Sequence, residues 1–574
     1  MLHAQTRDDA LLMISKKWRM LDAPPAGFSQ KLGLPSFHSH LLYSRGVKTR
    51  ADLEPYLNAD RGATCDPLLF PGMDVAVARL RQALEAGESI AIFGDFDTDG
   101  ITGTALLITA LRDVGGSVVP YLPDRVEEGH GLNPDAVRYL DEQGVSLLIT
   151  VDCGTTSISE VDLATSLGID TIITDHHTVL PTLPAACAIL NPNHPDSTYP
   201  FLGLTGVGMA FKLVEALYGD MGLPWPDHLL ELVALGTVAD VGPLTGENRF
   251  FVKRGLEKLN ETRNVGIRAL AESAKLKFGS LDTESLSFGL IPRLNVAGRL
   301  GDAAVSLSLL TATDTTEAYE LASQLERKNS ERQSLTEQAI QEANRQLEAQ
   351  MNGEGLPSIL IVKSDDWIPG ILGLIAGRLA EEFYRPAIAI STAGELSRAS
   401  ARSIPEFNII EAIRVGRELF TKSGGHHQAA GFTIPTSCLA VLEDRLQAVA
   451  DEKLRDVDLT PAIDIDCEVP LSMFTRENFD FIQSLAPFGE ANRAPVFLTR
   501  NARVVESRQV GSQGRHLKMR VWDDGAAFGA IAFRQGDRIG DTQRGVDLVY
   551  TVSLDTWGYQ PKVQLTVMDF RPSR

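Results

Sequence analysis

The stretch SIAIFGDFDTDG, at residues 89–100, decides how this chain is organised. Its first half predicts a short buried strand, and Asp95, Asp97 and Asp99 follow before a helical pattern that opens at Gly100. In an open α/β sheet, ligands bind at the carboxyl ends of the strands. Carboxylates this close repel one another unless they are neutralised, and Mg²⁺ or Mn²⁺ favours oxygen ligands. The stretch favours a metal-binding strand end, and an acidic loop that caps the following helix is the alternative.

The sequence after this stretch alternates between strand and helix patterns. Near-continuous apolar strands are predicted at 117–122, 146–154 and 171–177, with helical patterns between them. Strands that are apolar on both faces and separated by helices are typical of a parallel sheet that is covered on both sides. We therefore predict an α/β fold for this region.

Further acidic and imidazole side chains fall at the ends of these strands. Asp152 follows LLITV; Asp175, His176 and His177 follow TIIT; and Asp240 lies in ALGTVADV after a helical segment. A single histidine on a strand is usually structural, whereas two adjacent histidines after an aspartate favour a ligand role. Carboxylates joined by one or two imidazoles suit two divalent cations. The sequence thus predicts a two-cation centre at this sheet edge.

Length and composition predict a multidomain globular protein. The chain has 574 residues, too many for one hydrophobic core, and its hydrophobic and charged contents of 44% and 22% are ordinary. No apolar run reaches the ~18 residues that span a bilayer, and the N-terminus lacks the pattern of a secretory signal. The five cysteines are scattered without CxxC spacing, which indicates a reducing cytoplasm and argues against structural zinc or disulfides.

The net charge of −21 at first argues against a nucleic-acid partner. Its distribution matters more, because residues 461–574 carry equal numbers of acidic and basic side chains and the excess lies in residues 1–460. Any nucleic-acid groove must therefore be a local basic track on an acidic protein.

Residues 313–350 predict one long charged helix. Apolar positions recur along it, which suits a strut between two α/β domains, and a coiled-coil partner helix is the alternative. The cleft between those domains is where a nucleic-acid strand is expected to thread.

The C-terminal residues predict a β-barrel. Five short strand patterns with no long helix among them suggest an OB-like barrel. Lys518 and Arg520 supply basic groups, and Trp522, Trp557 and Tyr559 are candidate platforms for unpaired bases. The alternative is that such aromatic side chains fill the barrel core, and we expect this of about half of them.

These segments together resemble the DHH phosphoesterase superfamily. Its four motifs are similar to DFDTDG, VDCG, TDHH and GTVAD. PRLNVAGRLGDA (292–303) resembles a further family signature, and three segments resemble the DHH-associated domain: WIPGILGLIAGRL (367–379), SRASARS (397–403) and GGHHQAAG (424–431). PFGEANRAPVF (487–497) and the β-rich tail resemble the extra domain of the RecJ family, the single-strand-specific 5′ exonucleases.

The resemblance implies roles for individual residues. The metal ligands it implies are Asp95, Asp97, Asp99, Asp152, His176 and Asp240, with Asp152 as the bridging carboxylate. Asp175 would orient the site, His177 would face the scissile phosphate, and Arg299 would contact a substrate phosphate with Asn295 nearby. The terminal 5′-phosphate or its nucleotide would be held by Ser400, Arg402 and His426. The chemistry is suitable, because the planar guanidinium of arginine matches phosphate oxygens.

Some positions depart from the family pattern, and some have simpler interpretations. Ile368 stands where the family often has histidine, Ala399 and Ala401 replace glycines, and Ala491 and Arg493 alter the tail motif. GGHHQAAG alone could be a glycine turn before a strand, SRASARS a solvated basic loop, and Arg299 a surface ion-pair partner.

The implied activity is 5′-to-3′ hydrolysis of single-stranded DNA to 5′-mononucleotides with two Mn²⁺ or Mg²⁺ ions, in DNA repair and recombination. Single-strand-binding protein and a RecQ-type helicase are implied partners, and a monomer is expected. Two alternatives stay open: a DHH phosphodiesterase for short oligonucleotides or cyclic dinucleotides, and an inactive DNA-binding scaffold. The expected domains are a leader that packs on the core (1–75), the catalytic domain (76–312), the connecting helix (313–350), the DHH-associated domain (351–455) and the OB-like domain (456–574).

Overall fold

The computed structural model describes residues 15–58, 61–125, 127–351, 355–555 and 562–573. The described chain divides into two compact units. The first contains residues 65–242 and 251–459, and the second contains residues 15–64, 243–250 and 460–573. Among the helices of these ranges, none combines the length and the apolar character that crossing a membrane requires.

The first unit contains the predicted parallel sheet. Its five strands lie side by side in the order Ser117–Tyr121, Ser89–Gly94, Val145–Val151, Asp170–Thr174 and Ala188–Leu190. All neighbouring pairs are parallel. The central strands are buried, as their unbroken apolar sequences require, and Ile90, Ile92 and Phe93 have no exposed surface. The α/β prediction for this region is confirmed.

Helices surround this sheet because each connection between parallel strands must cross from one end to the other. The helix Thr98–Asp113 begins where Asp97 accepts hydrogen bonds from the backbone N–H groups of Asp99 and Gly100. The other helices from Met73 to Thr311 are Met73–Ala86, Pro134–Glu142, Ile158–Ser166, Gly206–Asp220, Leu230–Ala239, Gly246–Asn260, Val265–Ser273, Thr283–Ser285, the π-helical turn Leu286–Leu290, Ile291–Leu300 and Ala304–Thr311.

The predicted long helix is confirmed and spans 37 residues, Thr315–Met351. Its sparse buried side includes Leu325, Asn329 and Leu347, while most of its other side chains are charged or polar and solvated. The helix packs against Val265–Ser273 and Ile291–Leu300 near its start and against Leu372–Phe383 near its end. It therefore joins two sheets of the same unit.

The second sheet of this unit is mixed. Its strands follow the order Lys422–Gly425, Ala429–Pro435, Leu396–Arg402, Ala387–Ser391 and Leu360–Ser364. Only the last pair is parallel. The helices around it are Leu372–Phe383, Ile409–Ile413 and Leu439–Leu454.

The second unit contains the predicted barrel. Five strands follow one another in the order Phe497–Val510, His516–Asp523, Ala526–Ala532, Lys562–Pro572 and Val546–Asp555. The last strand pairs with the first and closes the barrel, and the short strand Cys467–Glu468 extends it at one side. The helix Arg476–Ser484 precedes the first barrel strand.

The N-terminal segment belongs to this second unit. Its strand Lys17–Met20 pairs in parallel with Ala462–Ile465. Its helices are Phe28–Leu32, Ser36–Tyr43 and Arg50–Asn58. Phe28, Leu41 and Leu42 enter the same hydrophobic cluster as the barrel residues. The core on which this segment packs is therefore that of the barrel.

Candidate metal centre

The carboxyl ends of three parallel strands bring the predicted acidic residues together. Gly94, Val151 and Thr174 are aligned at the ends of neighbouring strands. The hydrogen-bond ladder continues one residue further, because Asp95 N donates to Val151 O at 3.2 Å and Asp152 N donates to Thr174 O at 2.9 Å. Register alone thus places the first residues after the strands side by side.

Three groups of ligand-type atoms form at this edge, and two of them together contain the six predicted ligands. One oxygen each from Asp95, Asp97 and Asp152 lie within 4.8 Å of one another. One ligand atom each from Asp99, His176 and Asp240 also lie within 4.8 Å of one another. The third group comprises Asp152, His176 and His177.

Asp152 connects the first two groups. His176 Nε2 lies 3.0 Å from Asp152 Oδ1 and 3.7 Å from Asp240 Oδ2. The structure therefore brings all six predicted ligands, here called the candidate metal centre, into one neighbourhood with Asp152 in the middle.

The backbone of Asp152 is held in an unusual conformation. Its φ of 61° is in the left-handed region, which an aspartate adopts only when its surroundings impose it. Gly206 packs directly against it: a Cβ added at Gly206 would lie 2.4 Å from Asp152 Cβ. This glycine lets the helix Gly206–Asp220 approach the acidic residues closely.

That helix also fixes Asp99. Gly206 N donates to Asp99 Oδ2 at 2.6 Å and Val207 N donates to Asp99 Oδ1 at 2.9 Å. A helix N-terminus favours a carboxylate in this position. Asp99 is thus anchored while one of its oxygens stays near His176 and Asp240. Asp97 likewise combines two roles, because it caps a helix and lies in the first acidic group.

The acidic residues are electrostatically crowded. Burial and the neighbouring Asp97 raise the pKa of Asp99 to about 7. Burial and the charges of Asp99 and Asp97 raise the pKa of Asp240 to about 8, and burial with the surrounding carboxylates raises the pKa of Asp152 well above its ordinary value. Such a cluster is stable as carboxylates only with positive charge between them. The oxygen-rich donor set with one imidazole fits Mn²⁺ or Mg²⁺.

The two adjacent histidines differ in environment. Burial and the neighbouring His177 lower the pKa of His176 to about 4, which keeps its ring neutral and able to ligate. His177 is also buried in part, but the hydrogen bond between its Nδ1 and Asp175 Oδ1, at 2.8 Å, raises its pKa. His177 therefore carries a proton more readily than its neighbour.

Asp175 acts as the anchor of this segment. It accepts hydrogen bonds from the backbone N–H groups of Thr155, His176 and His177. Burial opposes its charge, but these bonds and the His177 ring hold the pKa of Asp175 below its ordinary value. Asp175 therefore stays a carboxylate and hydrogen-bonds the backbone of both histidines and the ring of His177.

The structure adds His130 and Arg125, which sequence reasoning missed. His130 Nδ1 lies 2.9 Å from Asp95 Oδ1, and the hydrogen bond raises the pKa of His130. The Arg125 guanidinium lies 4.9 Å from the centre of the Phe96 ring. Both residues come from the glycine-rich loop PDRVEEGHGL after the strand Ser117–Tyr121, and that composition was the only signal for them.

A group of arginines lies beside the acidic residues. The arginine cluster comprises Arg125, Arg299, Arg332 and Arg402. Burial and the other three guanidinium groups lower the pKa of Arg299 to about 9. Within the described ranges, none of the four forms an ion pair with a carboxylate. Three of these guanidinium groups are half-buried and that of Arg125 is exposed. Mutually repelling guanidinium groups without carboxylate partners are suited to binding an anion such as phosphate.

The mixed sheet supplies part of this site. Along the strand Leu396–Arg402 the side chains alternate, so that Ala399 and Ala401 are buried while Ser400 and Arg402 are partly accessible. Arg402 Nη1 donates to Ser400 Oγ at 3.2 Å. The two alanines that replace family glycines thus fill the core rather than the accessible face.

Asn295 and Arg299 lie on the helix Ile291–Leu300. Asn295 Oδ1 accepts a hydrogen bond from Thr98 N at 2.9 Å and so supports the DFDTDG loop. Arg299 Nη1 donates to Gly370 O at 3.2 Å.

His426 is exposed in the turn before the strand Ala429–Pro435. It is near enough for its charge to contribute to the lowered pKa of His176, after burial and the charge of His177.

The barrel residues lie in the other unit. Along His516–Asp523 the side chains alternate, with Leu517, Met519 and Val521 buried. Lys518, Arg520 and Trp522 therefore share the outer face, and Trp522 is 45% exposed. Trp557 and Tyr559, also predicted as platforms, lie outside the described residues.

Comparison with known proteins supports the same organisation. Family models match the DHH family N-terminal domain at residues 89–237, the DHHA1 domain at 356–455 and the RecJ OB domain at 465–569. The single-stranded-DNA-specific exonuclease RecJ of Bacillus subtilis is 36% identical over 94% of this chain and 68% of its own length. The Escherichia coli K12 protein of the same name is 34% identical over 94% and 96%.

Solved structures agree with these relatives. RecJ from Thermus thermophilus in complex with Mn²⁺ superposes with a TM-score of 0.82 at 30% identity, covering 97% of this chain and 80% of that one. The same protein in complex with Mg²⁺ gives 0.77 at 29% identity, over 97% and 79%. The present chain therefore belongs to the RecJ family of single-stranded-DNA-specific exonucleases.

Proposed function

We propose that this protein is a 5′-to-3′ exonuclease that degrades single-stranded DNA to 5′-mononucleotides and serves DNA repair and recombination. One observation carries the proposal: acidic side chains that need cations converge beside arginines that need an anion. A nuclease site must bind both a metal and a phosphodiester. Family membership supports the choice of single-stranded DNA as substrate.

The proposed ligands of two Mn²⁺ or Mg²⁺ ions are Asp95, Asp97, Asp99, Asp152, His176 and Asp240. Their ligand atoms are close enough to share ions, and Asp152 belongs to the first group while contacting the second. Divalent cations bound by such a site supply Lewis acidity toward water and the phosphate oxygens. His130 and Asp175 are positioning residues, since each hydrogen-bonds a side chain of the site.

His177 and Arg299 are the proposed contacts to the scissile region. With Nδ1 on Asp175, the His177 ring is fixed, and its raised pKa lets it donate to a phosphate oxygen. In the part of the chain that the structure describes, the Arg299 guanidinium forms no ion pair with a carboxylate, and it helps to orient the phosphodiester. Hydrolysis breaks the bond between phosphorus and the 3′-oxygen: water supplies the new oxygen on phosphorus, and the 3′-oxygen leaves as a hydroxyl.

The proposed pocket for the terminal 5′-phosphate contains Ser400 and Arg402, with Arg125 and His426 beside it and Asn295 supporting the loop opposite. Arg402 is half-buried and forms no ion pair with a carboxylate among the described residues, and Ser400 adds a neutral donor. A phosphate held there fixes the scissile bond one nucleotide from the end. This pocket explains an exonuclease that starts at the 5′ end.

The barrel is the proposed binding surface for the rest of the strand, through Lys518, Arg520 and Trp522 on its outer face. Its presence argues against a phosphodiesterase limited to dinucleotides, and the complete set of acidic ligands argues against an inactive scaffold.

We also propose the division into residues 1–75, 76–312, 313–350, 351–455 and 456–574. Single-strand-binding protein and a RecQ-type helicase are proposed partners of a cytoplasmic monomer.

Digestion of single strands labelled at either end tests the proposal. With Mn²⁺, a 5′-labelled strand should release labelled mononucleotide at once, while a 3′-labelled strand should shorten stepwise. A duplex with blunt ends is the control and should stay intact. Release of label from the 3′ end first would contradict the polarity, and binding of single strands without any release would contradict the enzymatic function.

A further inference from the structure

The side chain of Phe288 is unusual among the described residues. It is 79% exposed, the largest exposed fraction of any large apolar side chain that the structure describes. A single exposed apolar residue needs no explanation by itself. Phe288 is relevant to the site because its helical turn continues into the helix that carries Asn295 and Arg299.

Local packing forces Phe288 outward. It lies in the π-helical turn Leu286–Leu290, whose other apolar residues Leu286 and Leu290 are fully buried. Gly289 packs so closely that an added Cβ would lie 2.7 Å from Leu276 Cδ1. Arg293 Nη1 donates to Gly289 O at 2.7 Å and further fixes the turn. Single π-turns inside helices occur often at functional sites.

Phe288 shares a helix face with the candidate site. Residues 288, 292, 295 and 299 are spaced by four, three and four, which places them on one side of a helix. All four are at least partly accessible, whereas Leu294, Val296 and Ala297 between them are buried. This face therefore runs without interruption from Arg299 to Phe288.

The contacts along this helix face indicate the direction in which a bound strand would run. Arg299, at one end, is close enough to Arg402 for the two guanidinium charges to repel. Asn295, further along, bonds the DFDTDG loop. Phe288 comes next, about 10 Å beyond Asn295 at the 1.5 Å rise of a helix. A strand with its 5′-phosphate at Arg402 and its first linkage at the acidic residues would continue toward Phe288.

The surroundings of Phe288 suit nucleic acid. Leu276, which packs on Gly289, is flanked by Lys275 and Lys277, both exposed. Neither lysine forms an ion pair in the described part of the chain. The segment that packs on the turn of Phe288 thus carries exposed basic side chains. Basic groups and aromatic platforms together hold unpaired strands.

We propose that Phe288 is a stacking platform for an unpaired base on the 3′ side of the scissile linkage. The inference rests on the proposed function and adds a specificity-determining contact to it. The distance of about 10 Å from Asn295, which bonds the acidic loop, corresponds to about three nucleotides at the spacing of a stacked strand. The platform thus acts on substrates of about four nucleotides or more and not on dinucleotides.

Steady-state release of mononucleotides from (dT)₂ and (dT)₁₂ with Mn²⁺ tests this proposal on the full chain. Phe288→Ala should raise KM for (dT)₁₂ by about 5- to 150-fold, because one stacked base contributes about 1–3 kcal/mol. The kcat should change much less, and the penalty should vanish for (dT)₂. Phe288→Trp should keep the wild-type KM. Tyr139→Ala removes another exposed aromatic side chain and should not change KM.

An abasic scan locates the contact. In the wild type, one abasic residue about three to five positions from the 5′ end should raise KM, and in Phe288→Ala the same residue should have no further effect. Equal KM values of Phe288→Ala and wild type for (dT)₁₂, with equal melting temperatures, would overturn the proposal and assign Phe288 to another ligand. A wild type that releases no nucleotide would instead refute the proposed function.

Discussion

The candidate metal centre and the arginine cluster lie in the same unit, but the two sites are assembled by different parts of the fold. The acidic residues follow neighbouring strands, so that sheet register brings Asp95, Asp152 and Asp175 together. The arginines come from a loop, two helices and a strand of another sheet. Each group contains like charges that repel. The difference shows that sheet register begins the cation site, which packed helices complete with Asp99 and Asp240, whereas the anion site depends on tertiary packing alone.

Loss of the central carboxylate tests the first half of this comparison and should have the largest effect. Asp152→Ala removes the residue that links the two acidic groups. Nuclease activity should fall by more than about 100-fold, because even residues that only support metal ligands cost 10- to 100-fold. Initial rates on 5′-labelled single strands measure this. Asp135→Ala, at an exposed carboxylate, is the control, and an Asp152→Ala enzyme with wild-type rates would remove Asp152 from the site.

Loss of the Asp175 carboxylate should have a smaller effect on nuclease activity. Asp175→Asn keeps one of the two acceptor oxygens, loses the other, and removes the charge that holds His177. The Mn²⁺ concentration for half-maximal activity should rise by about 10- to 100-fold. Titration of activity with Mn²⁺ measures this, and an unchanged midpoint would show that Asp175 has no positioning role.

The arginine cluster should affect end recognition rather than chemistry. Arg402→Gln removes one charged hydrogen-bond donor from the pocket, and such bonds contribute about 1.5–3 kcal/mol. The preference for a 5′-phosphate over a 5′-hydroxyl end should therefore fall by about 10-fold or more. Competition between the two substrates measures the ratio. Arg398→Gln on the same strand is the matched control, and loss of the preference in both variants would assign it to general charge.

The smallest expected effect concerns stability without metal. The folded-state pKa values of Asp99 and Asp240, about 7 and about 8, lie above their ordinary value of 3.8. The folded protein therefore binds protons that the unfolded chain releases between about pH 4 and 8, and its stability should fall as pH rises through that range.

Thermal unfolding in a chelator should show this fall as a shift of at least about 2 °C between pH 6 and 8. Adding Mn²⁺ should restore more stability at pH 8 than at pH 6. Asp240→Asn should reduce the dependence on pH. A melting temperature that rises with pH in the chelator would contradict the raised pKa values of Asp99 and Asp240.

The same difference explains what could be predicted from the sequence. The positions of Asp95, Asp152, Asp175 and the barrel strands could be predicted from local periodicity. Neighbouring residues show where a strand ends and whether apolar and polar side chains alternate along it. His130 and Arg125 do not follow, since a loop gives no periodic signal. The pairing of Lys17–Met20 with Ala462–Ile465 could not be predicted either, because it joins distant parts of the chain.

That last pairing has a consequence for synthesis on the ribosome. Residues 65–459 contain nearly the whole first unit, which can fold while the chain is still growing. The N-terminal helices, by contrast, are made first but must wait for the barrel strands that end at Pro572 before Phe28, Leu41 and Leu42 are covered. A nascent chain therefore carries an apolar N-terminal segment for most of its translation, and a prematurely terminated product never covers it.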